Sequence, residues 1–241
     1  MRRLKQLYLP TILVLTFSMA TALASMAQQT LRVTTNDGIS IAYESHGKGR
    51  TAIILIHGWS CDRSYWKGQI EYFANDYKVV SVDLGGHGES GLGRKDWTIY
   101  SFGNDVAAVI KELKLDRVVL VGHSMGGDVI ADAALVLPGR IDGLVLVDVY
   151  KKLGEGRSTE QIEAFVNELS TDFPTKTQTL VRSMFRADAD SSLVEFVAKD
   201  MSSAPPAVAL SAAKSSFTHS RQITHDFEHL KITGYCDQSG Q

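Results

Sequence analysis

The sequence predicts a doubly wound α/β fold on a mostly parallel sheet. Three observations predict it: apolar, β-branched runs of strand length through the first half of the chain, helix-compatible segments between them, and a hairpin signal ahead of the first run. The chain has 241 residues, 44% hydrophobic and 22% charged, which suits one principal domain carrying an insertion. Its formal net charge of −2, without a basic stripe interleaved with aromatics, gives no electrostatic case for a nucleic-acid partner.

The elements follow in order. Leu31–Thr35 and Ile39–Glu44 flank Asn36-Asp37-Gly38, residue types that tolerate the positive φ of a tight turn, and read as a hairpin. Thr51–Ile56, Lys78–Asp83, Arg117–Val121 and Leu144–Val147 lack polar alternation, as expected of parallel strands buried on both faces. A helix is expected from about Cys61. Phe102, Val106, Ile110 and Leu113 recur at helical spacing, and Met125–Leu137 is helix-compatible up to Pro138.

After Asp148 the strand pattern stops. Ser158-x-x-Gln161 and Ser192-x-x-Glu195 both have capping-box form, followed by the stripes Ile162, Phe165, Val166, Leu169 and Leu193, Phe196, Val197, Met201. They predict a helical cap over 150–229, inserted after the sixth strand and closed by Ala204-Pro205-Pro206, its stripes packing chiefly on the main domain. Residues 28–149 then form the core, and 230–241 hold the start of a seventh strand and an aberrant tail.

The first residues differ in kind. Arg2, Arg3 and Lys5 precede an apolar run from Leu7 to Ala22, and small residues follow at Ala24 and Ala27. That order predicts a signal peptide over 1–27, cut after Ala24 or Ala27, and a secreted or periplasmic protein with no stable membrane insertion after cleavage. The two cysteines, Cys61 and Cys236, fix no disulfide framework, and Cys61 reads as a lone packed thiol. No Cys/His cluster has metal-ligand spacing, so no metal is expected.

Gly122-His123-Ser124-Met125-Gly126 stands between a strand and a helix. That context turns Gly-x-Ser-x-Gly into a nucleophile elbow. The turn forces Ser124 into an unfavourable backbone conformation, and side chains at Gly122 and Gly126 would collide with the neighbouring strand and helix. The elbow also sets Ser124 at a helix N-terminus, where N–H groups favour developing negative charge.

Through these residues the chain resembles the α/β-hydrolase superfamily, from about Leu31 to Asp148. The resemblance implies that Ile56-His57-Gly58-Trp59 carries the oxyanion loop, with the N–H of Trp59 joining that of Met125. It makes His57 structural rather than a base, and Asp83-Leu-Gly-Gly-His87-Gly-Glu-Ser90 a loop whose pattern serves turn geometry. His123 is expected to point away from Ser124 and to pack, and His46, His219, His225 and His229 to lie at the surface. In the family the acid follows the seventh strand and the histidine the eighth. Asp148, after the sixth strand, is an alternative position for the acid.

Here the family pattern fails. After Leu230-Lys231-Ile232 no eighth strand and no histidine follow, and Gly234-Tyr235-Cys236-Asp237 only imitates the family's acid motif. The expectation is a truncated chain lacking its last edge strands. A shift of reading frame near Ile232 is the favoured origin, because synonymous codons one nucleotide on can restore a strand ending in an acid. The expected function is a serine hydrolase acting on a small-molecule ester, amide or related acyl compound, and acyl transfer through a serine needs no organic cofactor. The alternative is a catalytically incompetent truncated product or a non-catalytic small-molecule binding protein.

Overall fold

The structure, a computed structural model, describes residues 29–149, 156–219, 222, 230 and 235–237. The expected signal peptide, His225 and His229 lie outside the described residues, as do the residues on either side of Leu230. Seven strands form one sheet in the order β1-β2-β4-β3-β5-β6-β7. β1 (Leu31–Thr34) and β2 (Ser40–His46) make the expected hairpin, with Gly38 at φ 84° in its turn. β2 pairs antiparallel with β4 (Lys78–Val82). From β4 onward every pairing is parallel, through β3 (Ala52–Ile56), β5 (Val118–His123) and β6 (Ile141–Val147) to β7 (Tyr235–Asp237).

Helices cover both faces, which explains why the central strands are apolar throughout. α2 (Ile99–Glu112) and α3 (Met125–Val136) bury Phe102, Val106, Ile110, Val129 and Ile130 against Ile54, Ile56, Val80, Val82 and Leu120. The alternate residues Ile53, Leu55 and Val79 face the opposite way and pack with Trp66 and with Ile70 of α1 (Lys67–Phe73). Successive strand residues point to opposite faces, so each strand feeds two cores. Phe102 is fully buried, and its removal to alanine would cost about 3–5 kcal/mol.

The helix expected from Cys61 starts later. Asp62 caps a 3-10 turn over Arg63–Trp66, accepting from the Ser64 N–H at 2.7 Å, and α1 follows directly.

Four helices follow β6: α4 (Thr159–Thr171), α5 (Phe173–Met184), α6 (Ser191–Ser202) and α7 (Pro206–His219). Ser158 and Gln161 form the predicted capping box of α4. Ser192 does not cap α6. Asp190 does, its Oδ1 accepting from the N–H groups of Ser192 and Leu193, because a carboxylate two residues upstream meets the free amides of the first turn better than a hydroxyl inside it. Pro205-Pro206 likewise does not close the insertion. Pro206 opens α7, a position where the missing N–H has no helical acceptor to lose.

α7 docks on the start of α2. Ser215 Oγ accepts from the Ile99 N–H at 2.9 Å, and Ser211 Oγ from the Trp97 N–H at 3.1 Å, so side chains of one helix satisfy donors left open near the start of another. At the sheet edge, where the sequence expectation puts the start of a seventh strand and an aberrant tail within 230–241, the described strand is Tyr235–Asp237, parallel to β6 with Tyr235 opposite Leu144 and Asp237 opposite Leu146. Among the described residues no helix is long and apolar enough to cross a membrane.

Candidate active site

Ser124 occupies the turn between β5 and α3 at φ 51°, ψ −120°, outside the ordinary helical and strand regions. The reason is spatial. Its N–H donates to the Val147 carbonyl at 3.0 Å, and its own carbonyl accepts from the Gly127 N–H at 2.9 Å, so the chain reverses within one residue. A Cβ on Gly126 would stand 2.6 Å from the Ile56 carbonyl oxygen, and one on Gly122 would collide with the Gly126 carbonyl. Both glycines are therefore required by close backbone approach.

The loop after β3 presses against the elbow. A Cβ on Gly58 would lie 3.3 Å from Ser124 Cβ and 3.0 Å from His123 Nδ1. The next residue, Trp59, donates its backbone N–H to no described acceptor, and Met125 is the first residue of α3, where the N–H has no intrahelical partner. Two peptide donors thus border the serine.

Ser124 is exposed and opens on a cavity of about 630 Å³ roofed by the insertion. Trp59, Tyr65, Val181, Met184, Val197 and Met201 give it a largely apolar wall. Stripe residues expected mainly to pack on the main domain (Phe165, Leu193, Val197 and Met201) line this cavity, while Ile162 and Leu169 are buried. Arg157 also borders it, its guanidinium 4.8 Å from the ring centroid of Phe165 and 4.2 Å from that of Phe217. No sequence signal joins these three residues, because their meeting depends on how α4 and α7 pack.

The histidines divide by environment. His57 is buried. The Gly58 carbonyl can only accept, so Nδ1 carries the proton and donates to it at 2.8 Å, leaving Nε2 to accept from the Leu84 N–H at 3.1 Å. Burial, which penalises the imidazolium, pulls His57 down to about 4 and His87 to about 3. Both are neutral braces of adjoining turns, with ring centroids 5.0 Å apart. His46 pairs with Glu44 at 3.1 Å, far along β2. His123 differs from its expectation: it lines the cavity beside Ser124. Burial lowers its pKa against the opposing pull of Asp148.

Asp148 stands just past β6, exposed on the cavity rim at φ 47°. Its strand neighbour is the elbow itself, since His123 and Val147 are register partners. Among the described residues no histidine is hydrogen-bonded to Ser124. Cys61 is buried near the same wall as a free thiol, pushed up to about 12 by burial, and is no nucleophile at neutral pH. No group of three His, Cys, Asp or Glu among the described residues is placed to hold a metal ion.

The Asp83–Ser90 loop is built as a turn. Asp83 is buried and pairs with the Arg63 guanidinium, while also accepting from the N–H groups of Arg63 at 2.8 Å and Glu89 at 2.9 Å. Ser90 Oγ donates to the Asp83 carbonyl at 2.7 Å and accepts from the Ala42 N–H at 2.8 Å, fastening the loop to β2.

Comparison with known proteins gives the family of the fold. The family model for the alpha/beta hydrolase fold matches residues 51–200. An uncharacterized protein of Mycobacterium tuberculosis is 35% identical over 122 residues, 51% of this chain and 36% of that protein. The dihydrolipoyllysine-residue acetyltransferase component of the acetoin cleaving system of Cupriavidus necator is 33% identical over 134 residues, 56% of this chain and 36% of that protein. The matches thus span little more than a third of the length of these curated relatives. Among solved structures, a thermophilic esterase from Thermogutta terrifontis superposes with a TM-score of 0.73 at 27% identity, over 87% of this chain and 79% of that one.

Proposed function

The chain belongs to the α/β-hydrolase fold family, and from that premise we propose that it is a serine hydrolase acting on a small apolar ester. The observation that carries the reading is the placement of Ser124: exposed, at φ 51° on its elbow, facing an apolar cavity beside the peptide N–H groups of Trp59 and Met125, which have no acceptor among the described residues. The similar protein from Thermogutta terrifontis is an esterase, which supports the choice of ester over other acyl compounds.

In this reading Ser124 Oγ attacks the ester carbonyl, and the new C–O bond moves the carbonyl electron pair onto oxygen. The N–H groups of Trp59 and Met125 hold that oxyanion, and one such donor is worth about 3 kcal/mol of transition-state stabilisation. Collapse expels the alcohol and leaves an acyl-serine, which water then hydrolyses. The serine proton passes to a base, for which histidine is the usual residue, and from it to the departing alkoxide, which leaves as the alcohol. Asp148 is the candidate orienting acid. The amino-terminal segment, in this reading, exports the protein to the periplasm or beyond.

One observation favours a second reading. Because no described histidine reaches Ser124, the cavity also suits a protein that binds a small apolar molecule without turning it over. Hydrolysis of p-nitrophenyl butyrate separates the two. The hydrolase reading expects turnover that falls by at least about a thousandfold in Ser124→Ala. Equal rates in the two proteins would reject it.

A further inference from the structure

We propose that the cap holds the oxyanion donor in place through the Trp59 side chain, so that the indole positions the peptide N–H that the same residue carries. The inference rests on the reading of that N–H as an oxyanion donor. Trp59 Nε1–H donates to the carbonyl oxygen of Ala209 in α7 at 2.7 Å. Its ring stands edge-on to Phe173 of α5, with centroids 6.2 Å apart and planes at 74°. Ala209 is fully buried and Phe173 nearly so, and a hydrogen bond in such an interior is expensive to leave unmade.

The same loop meets a third cap helix farther on. Tyr65 OH donates to Asp200 Oδ2 of α6 at 2.7 Å, and Cys61 is buried in one apolar cluster with Val181, Ala198 and Met201. The segment from Trp59 to Tyr65 is therefore the platform on which α5, α6 and α7 rest.

The turn does little to fix itself. Ser60 is held at φ 57°, a left-handed conformation that costs a non-glycine residue about 1 kcal/mol. The one backbone hydrogen bond that closes the turn, Cys61 N–H to the Gly58 carbonyl, is long at 3.3 Å. Two side-chain bonds assist, His57 Nδ1–H to the Gly58 carbonyl at 2.8 Å and Cys61 Sγ–H to the Trp59 carbonyl at 3.5 Å, and the Trp59 side chain, gripped by two cap helices, ties the turn to the cap. Loosening that grip lets the N–H drift from where the oxyanion forms, and small misplacements at such a site cost rate rather than binding.

Trp59→Phe tests this, because it keeps the peptide N–H and an aromatic ring while removing the indole donor and part of the ring's volume. The expected result is a fall in kcat of about tenfold with KM within about twofold. Amide exchange at Cys61, which reports the closing bond of the turn, is expected to speed up about tenfold. Phe173→Leu, a change confined to the cap, is expected to move both readouts in the same direction. An unchanged kcat, or a rise in KM without faster exchange at Cys61, would overturn the proposal, the second showing that the ring merely lines the pocket. If the unaltered protein hydrolyses no ester, the hydrolase reading fails by itself. Exchange then decides alone: no acceleration at Cys61 in either variant refutes the joint, and acceleration in both supports it.

Discussion

The Ser124 N–H donates to the Val147 carbonyl oxygen at 3.0 Å, tying the elbow turn to the end of the neighbouring strand. This bond holds the serine at φ 51° and sets Asp148, at φ 47°, beside it on the next strand. Two left-handed residues at adjacent strand ends persist only where the surroundings over-determine them.

Gly126→Ala tests how tightly that turn is packed. The new Cβ would stand 2.6 Å from the Ile56 oxygen and 2.8 Å from the His57 oxygen, both rigid backbone atoms. A loss of about 2–4 kcal/mol in urea unfolding is expected. Gly68→Ala is the contrast: it lies in α1 with open space around its Cβ, and a gain of up to about 1 kcal/mol is expected.

Acid stability should be governed largely by the buried histidines. His57 and His87 have folded-state pKa values near 4 and 3, below the ordinary value of about 6.5. The unfolded chain therefore binds protons that the folded one refuses. Their effect is absent above about pH 6.5, and stability falls as pH drops from there toward 4. Unfolding midpoints in urea across this range measure it. His87→Gln is expected to flatten the slope.

The buried ion pair beside the site gives a third prediction. Asp83 has a fully buried side chain and depends on Arg63, whose guanidinium also reaches Glu44 at 3.0 Å. Arg63→Met leaves the carboxylate unpaired in the interior and is expected to cost about 3–5 kcal/mol. Glu195→Gln, which breaks the solvent-exposed pair with Arg182, is expected to leave the melting temperature almost unchanged. Thermal melts of the two variants compare the cases directly.

These particulars explain what could be seen in the sequence. The central strands were legible because burial on both faces leaves them no polar positions, and the elbow because its glycines answer to backbone collisions. α5 left no such trace: its buried residues are Phe173, Thr177 and Val181, so a polar threonine interrupts the stripe. β7 escaped because Tyr-Cys-Asp has neither length nor β-branching, and it is held only by pairing with β6. Asp190 and Ser192 both suit a cap, and the geometry of the first turn decides between them. The cavity wall was illegible for a different reason. Arg157, Phe165 and Phe217 meet only after α4 and α7 fold against each other, and the place of His123 beside Ser124 depends on Gly58 closing over it.

The size of the cavity bears on selectivity. Val181 is fully buried in its wall, and Val181→Trp would fill much of the space. The variant is expected to raise KM for an octanoyl ester about tenfold relative to an acetyl ester. Steady-state kinetics with the two p-nitrophenyl esters check this.

The most direct test of the account is covalent labelling by a fluorophosphonate probe, followed by peptide mass spectrometry. The account predicts one adduct, on the peptide containing Ser124, and none in Ser124→Ala. A folded protein that the probe leaves unlabelled, or labels at another serine, would contradict it.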